Sequence, residues 1–208
     1  MPFRRANSAD RDQLARLHNA SSQLQPGAFM HKLGVPFFRL YYHLLLPDPN
    51  TIIFVAEDAA GSVLGFVAGC RNARLEIARL RRSRWLLLLS SLPALLRSPS
   101  LVRGLRIRMR DLANPGPDNW VAHDQPRISF WCWDPESTAT RQSTLLLQTF
   151  LLDMKGTGAK VVRFEVDRVN RKVEITHRLM GARIVETLRR PDGSERLVME
   201  HVLEGREG

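Results

Sequence analysis

The chain has 208 residues and a formal net charge of +10, with 44% hydrophobic and 25% charged residues. This length is typical of one domain, and the apolar fraction excludes an intrinsically disordered chain. The two cysteines, Cys70 and Cys132, are too few for a disulfide framework or a cysteine-based zinc cluster. We therefore expect a single domain over residues 1–208 and no metal site.

The sequence shows neither a signal peptide nor a membrane span. Met1–Arg5 leads directly into polar residues, without the apolar core of a signal peptide. The longest apolar stretch, Trp85–Leu96, contains Ser90, Ser91 and Pro93 and is shorter than the roughly 20 residues that a spanning helix needs. We expect a soluble, cytoplasmic protein.

The first seventy residues predict a strand, two helical regions and a β-hairpin. Ser8 is a candidate N-cap for a helix whose apolar stripe contains Leu14, Leu17 and Leu24. Two β-branched apolar runs flank the turn Ala59–Gly61, which predicts antiparallel strands. The predicted elements are a strand at Phe3–Ala6, a helix from Ser8, a helical region at Ala28–Leu46 broken near Gly34, and strands at Thr51–Ala56 and Ser62–Ala68.

The next segment is strongly basic. Between Arg71 and Leu112 the chain has eleven arginines and two acidic residues, so almost all of the net charge lies here. Such a field attracts anionic partners. We interpret residues 71–118 as a basic helical insert, with helices at Ala73–Leu89 and Leu101–Leu112 hinged at Pro93 and at Ser98-Pro99. A loop, Ala113–Gln125, is predicted to follow.

Several functions fit this insert. It can form a lid over a binding site, a docking patch for an acidic carrier protein, or an amphipathic helix in peripheral contact with anionic lipid. It can also be a packed helical pair whose arginines are simply solvated. Nucleic-acid binding is disfavoured, because lysine- and glycine-rich arms with interleaved aromatic residues are missing.

The remaining sequence alternates strands and helices. The turn residues Pro191-Asp192-Gly193 favour a final hairpin, because proline presets φ and glycine supplies a positive φ. The element order predicts a mixed α/β sheet. The predicted elements are a strand at Arg127–Trp133, a helix at Gln142–Lys155, a strand at Lys160–Val166, a helix at Asn170–Leu179, and a hairpin of Arg183–Arg189 with Arg196–Val202.

This second half resembles the GNAT acyltransferase superfamily. Trp133–Glu136, the strand Val162–Val166, and the helix from Asn170 to Met180-Gly181 follow the family's order of motifs. In the first half, Phe54–Asp58 followed by Gly65–Gly69 is similar to the family's hairpin of strands 2 and 3. The resemblance implies a GNAT-like mixed, mostly antiparallel twisted sheet flanked by helices, here with the helical insert before the central strand.

The resemblance also implies a coenzyme A site. In the family a glycine-rich loop and the following helix N-terminus hold the pyrophosphate through backbone N–H groups. The loop glycines are replaced here by Ala139, Arg141 and Ser143, and the leading arginine is Thr138. Small residues keep part of the loop geometry, and Arg141 can pair with a phosphate directly. The coenzyme-binding residues that the resemblance implies here are Thr138, Ala139, Thr140, Arg141, Gln142, Ser143 and Asn170.

The strand before this loop is expected to hold the acyl donor. Alternation places Trp131 and Trp133 on one face and Phe130 and Cys132 on the other. By resemblance, backbone groups of Trp131, Cys132 and Trp133 pair with the pantetheine arm, and one N–H supports the oxyanion. The two tryptophans either line an acyl or acceptor pocket or pack in the core. Cys132 fits a small buried apolar residue better than a nucleophile.

Candidate catalytic residues also follow from the resemblance. His177 occupies the position of the family's general acid tyrosine, and a histidine near its ordinary pKa can donate a proton at neutral pH. Alternatively, His177 is a helix residue that packs beside the sheet and has no catalytic role. The family's basic glutamate corresponds to Arg127, which cannot act as a base. His123 and Asp124, on the loop just before this strand, are the nearest substitutes for the base. Alternatively, both are ordinary polar loop residues. A base that acts through a water molecule, or an amine that arrives neutral, would need neither residue.

These residues lead to one expected function and two alternatives. We expect an N-acyltransferase that moves an acyl group, acetyl in the first instance, from acetyl-CoA or another acyl-CoA to an amine. The acceptor is a small molecule or a peptide. The alternatives are a transferase of the same fold supplied by an acyl carrier protein, and a non-catalytic binding or regulatory module.

Overall fold

The computed structural model describes residues 2–25, 29–106, 124–189 and 193–204. Seven strands in these residues form one open sheet in the order β1-β2-β3-β4-β5-β7-β6. Every neighbouring pair is antiparallel except β4 and β5, which are parallel. The expected mixed, mostly antiparallel sheet is therefore confirmed. The strands are β1 (Phe3–Arg5), β2 (Thr51–Glu57), β3 (Val63–Cys70), β4 (Arg127–Trp133), β5 (Val161–Asp167), β6 (Arg183–Arg189) and β7 (Glu195–Val202).

Helices cover both faces of the sheet. None of those in the described ranges has the length and apolar character needed to cross a bilayer. Two 3₁₀ turns, Ser8–Asp10 and Met30–Leu33, precede the first two helices. The α-helices are α1 (Arg11–Gln23), α2 (Gly34–Leu45), α3 (Ala73–Arg82), α4 (Arg84–Arg97), α5 (Thr140–Gly156) and α6 (Arg171–Leu179); residues 101–106 are also helical.

The start of the first helix differs from the sequence prediction. Asn7, rather than Ser8, is the capping residue: its side chain accepts the Ala9 N–H at 2.9 Å, and its own N–H donates to Asp10 Oδ2 at 2.8 Å. This reciprocal capping box stabilises the 3₁₀ turn that leads into α1. Leu24 lies beyond the end of α1 and is 69% exposed, so it is not part of the buried stripe.

The basic segment is helical as expected, but its first break lies elsewhere. Ser83 separates α3 from α4, whereas Pro93 lies inside α4. The proline removes one backbone donor, and on the turn before it the hydroxyls of Ser90 and Ser91 both donate to Leu87 O at 2.8 Å. The predicted break at Ser98-Pro99 is confirmed. The later part of the predicted helix Leu101–Leu112, and residues 113–123 of the predicted loop, lie outside the described residues.

Two apolar cores flank the sheet. One lies under α1, α2 and α4 and includes Phe66, Phe130 and Cys132. The other lies under α5 and is lined by Trp131 and Trp133. The predicted alternation of the four residues at the end of β4 is therefore confirmed, and the tryptophans lie on the α5 side.

Candidate functional site

The strands β4 and β5 separate along their length. Their parallel pairing has a single register position, Arg127 opposite Arg163, and the Arg163 N–H donates to Pro126 O at 3.2 Å. Both positions lie near the beginnings of the strands. Because the carboxyl ends of parallel strands point the same way, we infer from the missing ladder pairs a cleft between these two ends, beside Trp131–Trp133.

A β-bulge bends β4 near the point where the cleft begins. Ala68 of β3 lies opposite Phe130, but the next residue, Gly69, lies opposite Ile128, so Ser129 is the extra residue. A bulge of this kind kinks its strand and strengthens the local twist. Gly69 is required here, because a Cβ at that position would lie 2.2 Å from the Arg127 carbonyl oxygen. The bulge accounts for the divergence of β4 from β5.

A buried ion pair from the basic segment holds this bulge. Glu76 of α3 is 1% exposed, and its Oε1 accepts hydrogen bonds from Arg127 Nη2 at 2.7 Å and from Ser129 Oγ at 3.2 Å. Burial alone would raise the pKa of Glu76. The Arg127 charge and the hydrogen bonds from Cys70, Arg127 and Ser129 outweigh it and lower that pKa below 4.5. Glu76 is therefore an ionised carboxylate.

Glu76 did not emerge from the sequence as a site residue. The available signal was its isolation, because it is one of two acidic residues among eleven arginines between positions 71 and 112. Its partner Arg127 stands, by the resemblance described above, where a basic glutamate was expected. The structure gives the arginine side chain a structural task, since it neutralises a buried carboxylate.

Alternation along β4 decides which backbone groups face the cleft. The Asp134 N–H donates to Leu64 O of β3 at 2.7 Å. Backbone groups of a strand point to the same side at every second residue, so those of Cys132 also point toward β3. Trp131 and Trp133 consequently direct N–H and C=O groups toward β5. Cys132 pairs with Phe66 of β3, so its backbone groups do not face the cleft and the prediction that they hold the pantetheine arm is corrected. Burial raises the pKa of the Cys132 thiol to about 12, which agrees with an unreactive apolar residue.

The two tryptophans carry unsatisfied donors. Within the described ranges, the indole Nε1 atoms of Trp131 and Trp133 are buried and have no hydrogen-bond partner. A buried donor without a partner is costly, so these groups suit a polar ligand. The Trp133 ring lies over β3, where a Cβ on Gly65 would be 2.0 Å from its Cε3 atom. The ring therefore packs over Gly65 of β3.

The loop after β4 closes without strain. Asp134 organises it: its Oδ1 accepts the Glu136 N–H at 3.0 Å, and its carbonyl accepts the Ser137 N–H at 3.1 Å. In the described ranges, no residue other than glycine has a positive φ. Replacing the family's glycines with Ala139, Arg141 and Ser143 therefore costs no backbone strain at these positions.

The first turn of α5 faces the same edge of the sheet. A helix start leaves backbone N–H groups without intrahelical partners, and no side chain in the described part of the chain caps this one at Ala139. Arg141 and Thr138 are exposed, Gln142 is half-buried, and Ser143 is buried. The side chain of Thr140 lies outside the described residues. The exposure of Arg141 leaves its guanidinium accessible to an external anion.

His177 is buried beside the cleft. Its ring lies 5.1 Å from Trp131 and 4.1 Å from Phe164, centroid to centroid, and its Nδ1 shares a hydrogen bond with His201 Nε2 at 3.0 Å. Burial, with a smaller contribution from His201, lowers the pKa of His177 to about 3. The expectation of an ordinary pKa was therefore wrong, and the imidazole is neutral at neutral pH. No sequence pattern identified His201 as its partner.

The other predicted residues lie at the two ends of the cleft strands. Asn170 begins α6 after β5 and does not use its side chain to cap that helix, among the residues described. Because β4 and β5 are parallel, it shares an edge with the start of α5. Asp124 lies before β4, where Asn72 Nδ2 donates to it at 3.0 Å and Arg74 at 3.3 Å. His123 lies outside the described residues.

The seven-strand sheet, the diverging parallel pair and the helix at their mouth define the GNAT acyltransferase fold. Three solved structures illustrate the likeness. An acetyltransferase of the GNAT family from Streptococcus pneumoniae has a TM-score of 0.61 at 12% identity, covering 98% of this chain and 99% of that chain. A ribosomal-protein-alanine N-acetyltransferase from Brucella melitensis has a TM-score of 0.62 at 13% identity, covering 97% and 99%.

The third structure is yncA from Salmonella typhimurium, solved with its cofactor acetyl-CoA. It has a TM-score of 0.58 at 11% identity, covering 100% of this chain and 96% of that chain. At these identities the likeness establishes the fold. Neither a family model nor a curated protein matches the sequence.

Proposed function

We propose that the protein is an acyl-CoA-dependent N-acyltransferase. The observation that carries this proposal is the cleft between β4 and β5, which has backbone groups of Trp131 and Trp133 on one wall and the uncapped start of α5 at its mouth. The fit to a coenzyme A arm is supported by two buried indole N–H groups without partners among the described residues. An extended amide-bearing arm can satisfy donors and acceptors of this kind.

Each part of the coenzyme has a candidate partner. The pantetheine amides would pair with the backbone of Trp131 and Trp133, in the manner of an added strand. The diphosphate would lie on the first turn of α5, where the helix dipole favours negative charge. The exposed guanidinium of Arg141 adds a phosphate partner that the family's glycine does not provide. Asn170, on the same edge, has a side chain free to reach the ligand.

The proposed reaction is direct attack. The amine nitrogen of the acceptor bonds to the thioester carbonyl carbon, the carbonyl oxygen becomes an oxyanion, and a backbone N–H on β4 stabilises it. Collapse of this intermediate breaks the C–S bond and releases the thiolate of coenzyme A. The amine loses one proton and the thiolate gains one, so the overall products are an amide and a free thiol.

Histidine and aspartate take revised roles in this proposal. With a pKa of about 3, His177 carries no imidazolium at neutral pH, so we assign the protonation of the thiolate to water. His177 instead positions Trp131 through their edge contact. Asp124 is engaged by Asn72 and Arg74, and we assign it no proton transfer. An amine that arrives neutral needs no protein base.

The acceptor class is an amine of a small molecule or a peptide. The Brucella melitensis structure, a ribosomal-protein-alanine N-acetyltransferase by name, is one protein of this fold whose name gives a nitrogen acceptor. For this chain we propose the amine class and the acetyl group as first choices for assay.

Two measurements test the proposal. Calorimetry with acetyl-CoA should show binding at one site per chain, and thiol release should follow when a panel of primary amines is added. The outcome against the proposal is absence of binding at millimolar acetyl-CoA. Binding without thiol release from any amine would instead indicate a non-catalytic module, and use of a carrier-bound acyl group alone would indicate the carrier-dependent alternative.

A further inference from the structure

The outer surface of α4 has a row of exposed apolar side chains. Trp85, Leu89, Leu92 and Leu96 follow at intervals of four, three and four residues, which places them on one side of the helix. Their exposed fractions are 65%, 60%, 45% and 80%. We call these four residues the α4 stripe.

The stripe is not the core-facing side of α4. Leu87 and Ser91 are buried on the opposite side, where α4 packs against α2 and the 3₁₀ turn before it, and Leu88 and Leu95 are partly buried there. The helix is therefore apolar on two sides, of which this chain, in the part described, covers one. A contiguous exposed row of large apolar side chains marks a contact surface more often than isolated exposed residues do.

Arginines without acidic partners flank the stripe in the sequence. Within the described ranges, six exposed arginines of the basic segment form no ion pair with an acidic side chain. Arg71 lies before α3 and donates to Pro49 O; the other five are Arg81, Arg82, Arg97, Arg103 and Arg106. Arginines elsewhere are frequently paired, as Arg4, Arg5, Arg163, Arg183 and Arg196 are. The positive charge near α4 is consequently available to an external anion.

We propose that the α4 stripe and its flanking arginines bind the surface of an anionic lipid bilayer. A helix with this pattern lies in the plane of the interface, with its apolar side chains at the boundary of the acyl chains and its arginines at the headgroup phosphates. The Arg84 guanidinium lies 5.4 Å from the Trp85 ring centroid. This places a cation and an indole side by side, and tryptophan is enriched at membrane interfaces.

The shape of the surface favours lipid over a protein partner. The stripe projects from the outer side of a helix, so a protein partner would need a concave apolar groove bordered by acidic residues. An acidic carrier protein matches the arginines but not the tryptophan and the three leucines. A bilayer offers both the anionic headgroups and an apolar layer, and it imposes no requirement on complementary shape.

Vesicle co-sedimentation of the full chain tests this proposal. Vesicles of phosphatidylcholine with an equal amount of phosphatidylglycerol should bind the protein, vesicles of phosphatidylcholine alone should not, and added salt should weaken binding. The variant Leu89→Ser/Leu92→Ser should lose binding by about tenfold for each leucine. The variant Arg81→Glu/Arg82→Glu should lose about fivefold for each arginine removed.

Matched variants control for general loss of surface apolarity or charge. Leu152 and Leu179 are exposed leucines on α5 and α6, so Leu152→Ser/Leu179→Ser repeats the first change away from α4. Arg16 and Lys172 are exposed cations on α1 and α6, so Arg16→Glu/Lys172→Glu repeats the second. Circular dichroism and thermal unfolding verify that every variant is folded, and both control variants should bind vesicles as the natural sequence does.

Three results would overturn the proposal. One is absence of binding to the anionic vesicles, whether or not the chain binds an acidic carrier protein. Another is equal binding by the α4 variants and their controls. The third is concentration-dependent self-association in sedimentation velocity that the leucine variant abolishes, because the stripe would then be an interface between copies. Vesicle binding needs no acyl-CoA, so these results do not depend on the proposed function.

Discussion

Removal of the Glu76 carboxylate should both destabilise the protein and weaken coenzyme binding. Glu76 is the buried partner of Arg127 and accepts a hydrogen bond from Ser129, the extra residue of the β4 bulge. The variant Glu76→Gln leaves a guanidinium whose side chain is only 15% exposed without a counter-charge. We expect β4 to relax toward β5 and to narrow the cleft.

The magnitude follows from the burial of the pair. Breaking a buried ion pair by removing one partner costs about 3–5 kcal/mol, because the remaining charge is uncompensated. The pKa of Glu76 is lowered below 4.5 in the folded protein. The ionised carboxylate therefore stabilises the fold fully above pH 4.5, and this stabilisation is lost as the pH falls through the lowered pKa. Measurements at pH 7 therefore report the whole effect.

Urea unfolding and acetyl-CoA calorimetry together measure this prediction. Glu76→Leu/Arg127→Met should recover much of the stability lost in Glu76→Gln, because a well-packed apolar pair can replace a buried ion pair. Arg74→Gln breaks the exposed pair with Asp124 and should cost less than about 1 kcal/mol. The reasoning is refuted if Glu76→Gln changes stability no more than Arg74→Gln does.

Three further predictions concern the cleft and its surroundings. Gly65→Ala should cost about 1–3 kcal/mol and weaken acetyl-CoA binding, because the new Cβ meets the Trp133 ring at 2.0 Å; unfolding and calorimetry measure the two effects. Arg141→Ala should weaken acetyl-CoA binding roughly fivefold, as one exposed charge pair is lost, without changing stability. The pKa of His177 is lowered from 6.5, its ordinary value in an unfolded chain, to about 3 in the folded protein. The unfolded chain therefore binds a proton more readily, so the free energy of unfolding is highest above pH 6.5 and decreases as the pH falls below it. Acidification from pH 7 to pH 5 should cost about 2 kcal/mol through this group, and urea unfolding of His177→Phe should show a correspondingly flatter pH dependence.

Each of these three changes has a matched control. Gly156→Ala adds a Cβ that meets nothing within 4 Å and should not destabilise the chain. Arg16→Ala removes an exposed charge on α1 and should leave acetyl-CoA binding unchanged. Ile175 is an exposed, non-titrating residue of α6, so Ile175→Phe should keep the pH dependence of the natural sequence. Equal effects in a variant and its control would contradict the corresponding prediction.

The fold is predictable from the sequence where local patterns decide it. The alternation in Phe130–Trp133, the turn at Ala59–Gly61 and the break at Gly34 depend on neighbouring residues, and the structure confirms them. Of the second predicted turn, Pro191 and Asp192 lie outside the described residues. The predicted capping residue is wrong by one position, because Asn7 and Asp10 together cap the 3₁₀ turn that leads into α1. The break at Ser83 was not predicted, since the proline inside α4 is the stronger local signal.

The parts that sequence did not predict depend on contacts between distant residues. Glu76 and Arg127 are 51 positions apart, and only the folded sheet brings α3 to the β4 bulge. The low pKa of His177 results from its burial against Phe164 and from His201, 24 positions later. A residue can be matched to a family motif by spacing, but its protonation depends on surroundings that spacing does not describe.

A crystal structure with bound coenzyme A tests the central claim most directly. We predict that the pantetheine arm lies between β4 and β5 with hydrogen bonds to the backbone of Trp131 and Trp133, and that the diphosphate lies on the first turn of α5 near Arg141. Coenzyme bound elsewhere on the chain, or a β4–β5 gap that closes when the ligand is present, would contradict it.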